Sequence, residues 1–116
     1  MKTKFLGKDC RIRESEQDYI LKRLSEVEDL FHEDALYEVE VALDKKGFFR
    51  VEVNVRESNN LTRAEETTKS VEGSIDKVID KLRVQIVREK DKKRELRERG
   101  ARSIKKSLVI DDSARF

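Results

Sequence analysis

Two runs of strictly alternating apolar residues, set on either side of one glycine turn, restrict this chain more than any other feature. Tyr37, Val39, Val41 and Leu43 alternate with Glu38, Glu40 and Ala42. After Asp44-Lys45-Lys46-Gly47, the residues Phe49, Val51, Val53 and Val55 alternate with Arg50, Glu52 and Asn54. A period of two puts every other side chain on one face, so the pair reads as an antiparallel hairpin with one dry face and one wet face. Gly47 suits the turn because it tolerates positive φ. A second turn, Glu57-Ser58-Asn59-Asn60, leads to a weaker strand over residues 61–66 with Ala64 inward. The three strands form a meander, and its dry face needs a cover.

That cover is legible on both sides. Ser15 suits a helix N-cap, with Asp18 in the first turn. Ile20, Leu24, Val27 and Phe31 then recur at i, i+4, i+7 and i+11, one stripe on a helix of about 16 residues. Residues 2–6 read as a first strand ending in a turn at Gly7, and Cys10-Arg11-Ile12-Arg13 extends it with Cys10 and Ile12 on one face. Beyond the meander, Ser70 caps a last helix with Glu72 in its first turn. Val71, Ile75, Val78, Ile79, Leu82 and Ile86 follow at spacings of 4, 3, 1, 3 and 4. The stripe then fades; beyond Val87, Leu96 is the one apolar residue before Gly100, where a helix stop is expected. A helix over residues 70–99 would be about 45 Å long at 1.5 Å per residue, with an apolar half that packs and a charged half that does not.

The expected fold class is α+β, in the order β-α-β-β-β-α: a four-stranded sheet with both helices on one face and a long basic C-terminal helix. The first crossover is expected to be right-handed if strands one and two are parallel. Residues 1–99 form the domain, and residues 100–116 are expected to be a flexible tail with Leu108-Val109-Ile110 as a small apolar patch.

Charge is distributed unevenly. Charged residues make up 45% of the chain and apolar ones 36%, and the net charge is only +2. Yet residues 77–106 hold 13 basic against 5 acidic residues, and residues 1–76 hold 13 against 18. A segregated positive end implies an anionic partner. The plainer reading is a solvated helix laced with ion pairs, because Glu89, Asp91, Glu95 and Glu98 can pair at i,i+4. An excess of eight positive charges is more than those acids absorb.

Several classes are excluded. No run of 18 apolar residues could span a membrane, and the N-terminus lacks a secretory apolar stretch. A single cysteine, Cys10, forms no internal disulfide, so the expected location is cytoplasmic. His32 at the end of the first helix reads as a surface or capping residue. One histidine and one cysteine cannot fill a zinc site without carboxylates. No glycine loop of phosphate-cradling type is present. Neither an active site, a cofactor nor a small-molecule substrate is called for.

Two modes of RNA binding compete. A stacking platform needs aromatic residues on the open sheet face; here that face carries Glu38, Glu40, Arg50, Glu52 and Asn54, with Phe48 the one aromatic near the hairpin. A helix surface instead offers Lys and Arg to phosphates. Lys77, Lys81, Arg88 and Lys92 recur at spacings of 4, 7 and 4, which keeps them on one side of the last helix. Arg83, Lys90, Lys93, Arg94, Arg97 and Arg99 widen that field, and Lys22 and Arg23 join it if the helices lie side by side. Such binding reads shape and weakens steeply with salt.

The chain resembles the ribosome hibernation-promoting factor family, also called ribosome-associated inhibitor or sigma-54 modulation proteins, in its short form. The resemblance covers residues 1 to about 94. It rests on Phe5-Leu6-Gly7, on Tyr19-Ile20-Leu21-Lys22-Arg23-Leu24 ending in Phe31, and above all on Ile75-Asp76-Lys77-Val78-Ile79-Asp80-Lys81-Leu82 with Gln85, Arg88 and Lys90-Asp91-Lys92. It implies the same element order. It also implies binding to ribosomal RNA of the small subunit, or to whole ribosomes, near the decoding centre, where messenger and transfer RNA would be blocked in non-growing cells. Arg23, Lys81, Arg88, Lys90 and Lys92 carry over as RNA-binding residues. There are departures: Val84 stands where arginine is usual, Glu26 where lysine is common, and Ser70-Val71-Glu72-Gly73 replaces a more typical Asp-Met-Tyr-Ala. Long members add a C-terminal dimerisation domain, for which this chain is too short.

Two other classes compete. A protein-interaction module would use the acidic sheet and the apolar tail. A double-stranded RNA-binding domain has a related plan, against which the extra first strand argues.

Overall fold

The structure, a computed structural model, describes the backbone of residues 1–106 and the side chains of residues 1–92. Strand β1 (Lys2–Lys8) leads to helix α1 (Glu14–Ser25) and a short 3₁₀ turn, Glu28–Leu30. Strands β2 (Leu36–Leu43), β3 (Phe49–Glu57) and β4 (Asn60–Thr68) follow, then helix α2 (Val71–Lys106). The sheet order is β1-β2-β3-β4, with β1 parallel to β2 and the other pairs antiparallel. The expected α+β class and element order are therefore observed.

Register explains the core. Phe5, Val39, Val53 and Ala64 align across all four strands, as do Thr3, Tyr37, Val55 and Thr62, and Gly7, Val41, Val51 and Glu66. Most of these side chains are buried, and so are Ile20 and Leu24 of α1 and Val71, Ile75, Val78, Ile79 and Leu82 of α2. A helical stripe and a pleated face, both dry, cover each other. The intervening residues lie on the opposite face. There Arg50 bridges Glu40 (2.6 Å) and Glu65 (2.7 Å), Arg56 meets Glu38 (2.6 Å), and Arg63 lies 3.5 Å from Glu52. This is a self-paired cross-strand ladder, not a stacking surface.

Four local expectations are corrected. β1 continues through Gly7 to Lys8, and the bend comes at Asp9, whose φ is +58°. Gly7 is needed for close approach instead, since a Cβ there would lie 2.5 Å from the Cys10 carbonyl oxygen. Helix α1 starts one residue before Ser15: Arg13, in extended conformation, is the cap, and Glu16 Oε1 accepts its N–H at 2.9 Å. The helix has 12 residues and tightens at its end, where Val27 N–H donates to Leu24 O at 3.0 Å. Val27 and Phe31 remain buried after the chain leaves the helix, so the stripe outlives it. Finally, α2 does not stop at Gly100 but runs on to Lys106. A single interior glycine costs only about 1 kcal/mol, which good helix formers on both sides override.

Gly47, at φ +84°, makes the expected hairpin turn. Ser70 caps α2, its Oγ accepting from Gly73 N–H at 2.9 Å. Ser74, wholly buried, donates from Oγ to Phe49 O at 2.8 Å and ties the first turn of α2 to β3. Farther along, Gln85 Nε2 donates to Arg63 O (2.8 Å) and Lys81 Nζ to Glu65 O (3.0 Å), so two carbonyls on the outer edge of β4 are occupied by side chains of α2. The chain divides into two compact units, Met1–Gln85 and Ile86–Phe116, and the described part of the second is the continuation of α2. Among the described residues no helix is long and apolar enough to cross a membrane. The expectation for the Leu108-Val109-Ile110 patch lies outside the described residues.

Candidate nucleic-acid interface

The apolar stripe of α2 fixes what its other faces display. With Val71, Ile75, Val78, Ile79 and Leu82 buried, Lys77, Asp80, Lys81, Arg83 and Val84 are exposed. On α1, burial of Ile20 and Leu24 leaves Lys22 exposed and Arg23 half-buried. The two helices lie side by side in the first unit: Tyr19 Oη donates to Asp76 Oδ1 at 2.7 Å, and Arg23 Nε sits 3.0 Å from the same oxygen, too poorly aligned for a hydrogen bond.

The predicted cations fall into two sets. Arg23, Arg83 and Lys81 are engaged. Arg23 Nη1 meets both carboxylate oxygens of Glu26, at 2.7 and 2.8 Å, and Arg83 Nη2 reaches Glu26 Oε1 at 3.2 Å. Lys81 Nζ lies 2.6 Å from Glu66 Oε2. The hydrogen bond to Glu26 holds the Arg23 guanidinium more firmly charged than usual. The hydrogen bond from Lys81 pulls the Glu66 carboxyl below its ordinary value, and that to Asp76 raises the Tyr19 hydroxyl. Lys22 and Lys77 of the first unit, and Arg88, Lys90 and Lys92 of the second, are exposed and enter no ion pair among the described residues. The side chain of Lys93 lies outside the described residues, as do those of Arg94, Arg97 and Arg99.

Sequence reasoning missed the acids that hold the first set. Glu26 stands three residues after Arg23, a spacing that signals a helical pair. Its second partner, Arg83, is 57 positions away, and only the packing of the two helices joins them.

Groups able to do chemistry are dispersed. His32 Nδ1 accepts from Asp34 N–H at 3.1 Å, and Cys10 Sγ lies 3.4 Å from Val41 O. Among the described residues no set of His, Cys, Asp and Glu could hold a metal ion.

A mixed four-stranded sheet with two helices, in the order β-α-β-β-β-α, defines an α+β domain. The chain belongs to the family described as sigma 54 modulation protein / S30EA ribosomal protein, whose model matches residues 3–94. This is a family of ribosome-associated, non-enzymatic factors, as the sequence resemblance implied. Among solved structures, the chain is similar to the Thermus thermophilus Protein Y N-terminal domain, with a TM-score of 0.66 and 27% identity over 76% of this chain and 98% of that one. A ribosomal subunit interface protein from Coxiella burnetii has a TM-score of 0.68 over 78% and 99% of the two chains; at 16% identity it attests the fold alone.

Proposed function

We propose that the protein is a cytoplasmic translation inhibitor of hibernating ribosomes. It docks through residues 1–99 on ribosomal RNA of the small subunit near the decoding centre, and it excludes messenger and transfer RNA in non-growing cells. Membership of a ribosome-associated family supports the partner. The observation that carries the mode of binding is the exposure of Lys22, Lys77, Arg88, Lys90 and Lys92 without an ion pair among the described residues, while the arginines on the open face of β3 and β4 are already paired with carboxylates of the same face. Unpaired cations on helices bind phosphate by shape and charge, without reading sequence. Arg23, Lys81, Arg83 and Lys93 complete the contact set, the first three after exchanging a carboxylate for a phosphate.

Sedimentation tests the reading. The protein is expected to travel with small subunits or whole ribosomes at low salt and to be stripped at high salt. Lys77→Glu combined with Arg88→Glu should abolish co-sedimentation while circular dichroism stays folded. Recovery of the wild-type chain only at the top of a low-salt gradient overturns the proposal.

A further inference from the structure

One carboxylate in the first unit faces two guanidiniums that the proposed function needs. Glu26, the C-cap just beyond α1, accepts from Arg23 Nη1 on both carboxylate oxygens and from Arg83 Nη2 on Oε1. An arginine fork that fits a carboxylate also fits a phosphate, so the two ligands compete for the same donors. Glu26 and Arg83 are open to solvent, with relative exposures of 38% and 46%, and Arg23 is half-buried at 22%, with its Nε enclosed. A polyanion can therefore reach the group from the side of Glu26 and Arg83. Arg23 has a second anchor in Asp76, which the Tyr19 hydroxyl holds at 2.7 Å. Its Nε can stay beside Asp76 while Nη1 turns from Glu26 to a new acceptor. Arg83 has no other carboxylate among the described residues.

We infer that Glu26 is an internal competitor of the polyanion: its carboxylate occupies Arg23 and Arg83 in the free protein, and both engage phosphate only as Glu26 is displaced. This deepens the ribosomal-RNA reading and rests on it for the identity of the polyanion. The consequence is a binding strength set below what the cations alone would give. Removing the competitor should tighten binding, an unusual direction for a substitution inside a contact surface. Two exposed ion pairs released together correspond to roughly three- to tenfold in affinity at moderate salt. One uncompensated charge more at the interface should also steepen the slope of log affinity against log salt by about 0.7–0.9.

The test compares Glu26→Gln with Glu33→Gln, which removes the same charge from an exposed carboxylate in the turn before β2. Binding is measured to purified small subunits and, separately, by salt elution from phosphocellulose. Glu26→Gln should bind subunits three- to tenfold more tightly than Glu33→Gln and elute later, and adding Arg83→Gln should erase most of the gain. Glu26→Ala carries the same expectation and guards against an effect of the amide, with circular dichroism verifying the fold of each. If Glu26→Gln and Glu33→Gln behave alike on both supports, the competitor role is overturned. Should no variant bind subunits while Glu26→Gln still elutes later than its control, the competition stands and the ribosomal reading fails.

Discussion

If the five helix cations that enter no ion pair among the described residues meet phosphates, binding must follow salt in a calculable way. Each contact releases counterions, and log affinity falls against log salt with a slope of about −0.9 per duplex contact and about −0.7 on single strands. Contacts from Lys22, Lys77, Arg88, Lys90 and Lys92 give a total slope of about −3.5 to −4.5, so affinity should drop roughly 100- to 500-fold between about 50 and 200 mM salt. Arg23, Lys81 and Arg83 add less than a full contact each, because each exchanges one anion for another. Replacing Lys22 and Lys77 by glutamine removes two contacts, which should bring the slope to about −2 to −2.7 and the drop to roughly 20- to 40-fold. Both lysines are exposed and outside any ion pair among the described residues, so the fold should not notice. The assay is a titration of labelled protein with purified small subunits at several salt concentrations, with thermal melts of both variants alongside. A slope unchanged in the double variant, or a wild-type slope shallower than about −1, refutes the reasoning.

Two further predictions concern stability. Tyr37 is buried, packs edge-to-face on Phe31 with centroids 5.9 Å apart, and its hydroxyl has no hydrogen-bond partner among the described residues. Tyr37→Phe should therefore be neutral or stabilising by about 1 kcal/mol in urea melts at neutral pH, and a clear loss of stability would reveal a hidden partner. Burial pushes that phenol up to about 12, so the folded state keeps a proton that the unfolded chain releases above its value of 10.0; stability should fall as pH rises through this window, and less so in the phenylalanine variant. Glu66 has the opposite sign. Its carboxyl is held below the model-peptide value of 4.5 by Lys81, so its contribution is present above that pH and is lost as pH falls through the lowered value. Glu66→Gln should flatten that part of the acid limb, and an unaltered limb would count against the pair.

Much of the fold could be read from periodicity because it is a matter of which faces are dry. The alternation at residues 37–55 and the stripes of both helices reappear as the buried rows of the sheet and of α1 and α2. Element ends were harder, since they depend on single contacts. Arg13 caps α1 only because Glu16 reaches back to its amide, and Gly7 marks a close approach to Cys10, not a turn. The cations of the proposed interface were visible as charges, yet their availability was not. Lys77 and Lys81 look equivalent at i and i+4, but β4 brings Glu66 into a close ion pair with Lys81, while Lys77 acts on that carboxylate only at longer range. Long-range packing alone decides which positive charge is already neutralised.

The side chains of Lys81 and Gln85 that occupy the carbonyls of β4 give α2 a second office, as a guard on the sheet's margin. An extended segment seeking to join that side, from a partner or from another copy, would first have to dislodge both. Trimming Lys81 for the sake of its charge therefore also uncovers a docking edge. Its variants should be watched for self-association, and a loss of ribosome binding that comes with clumping speaks of the margin, not of the RNA.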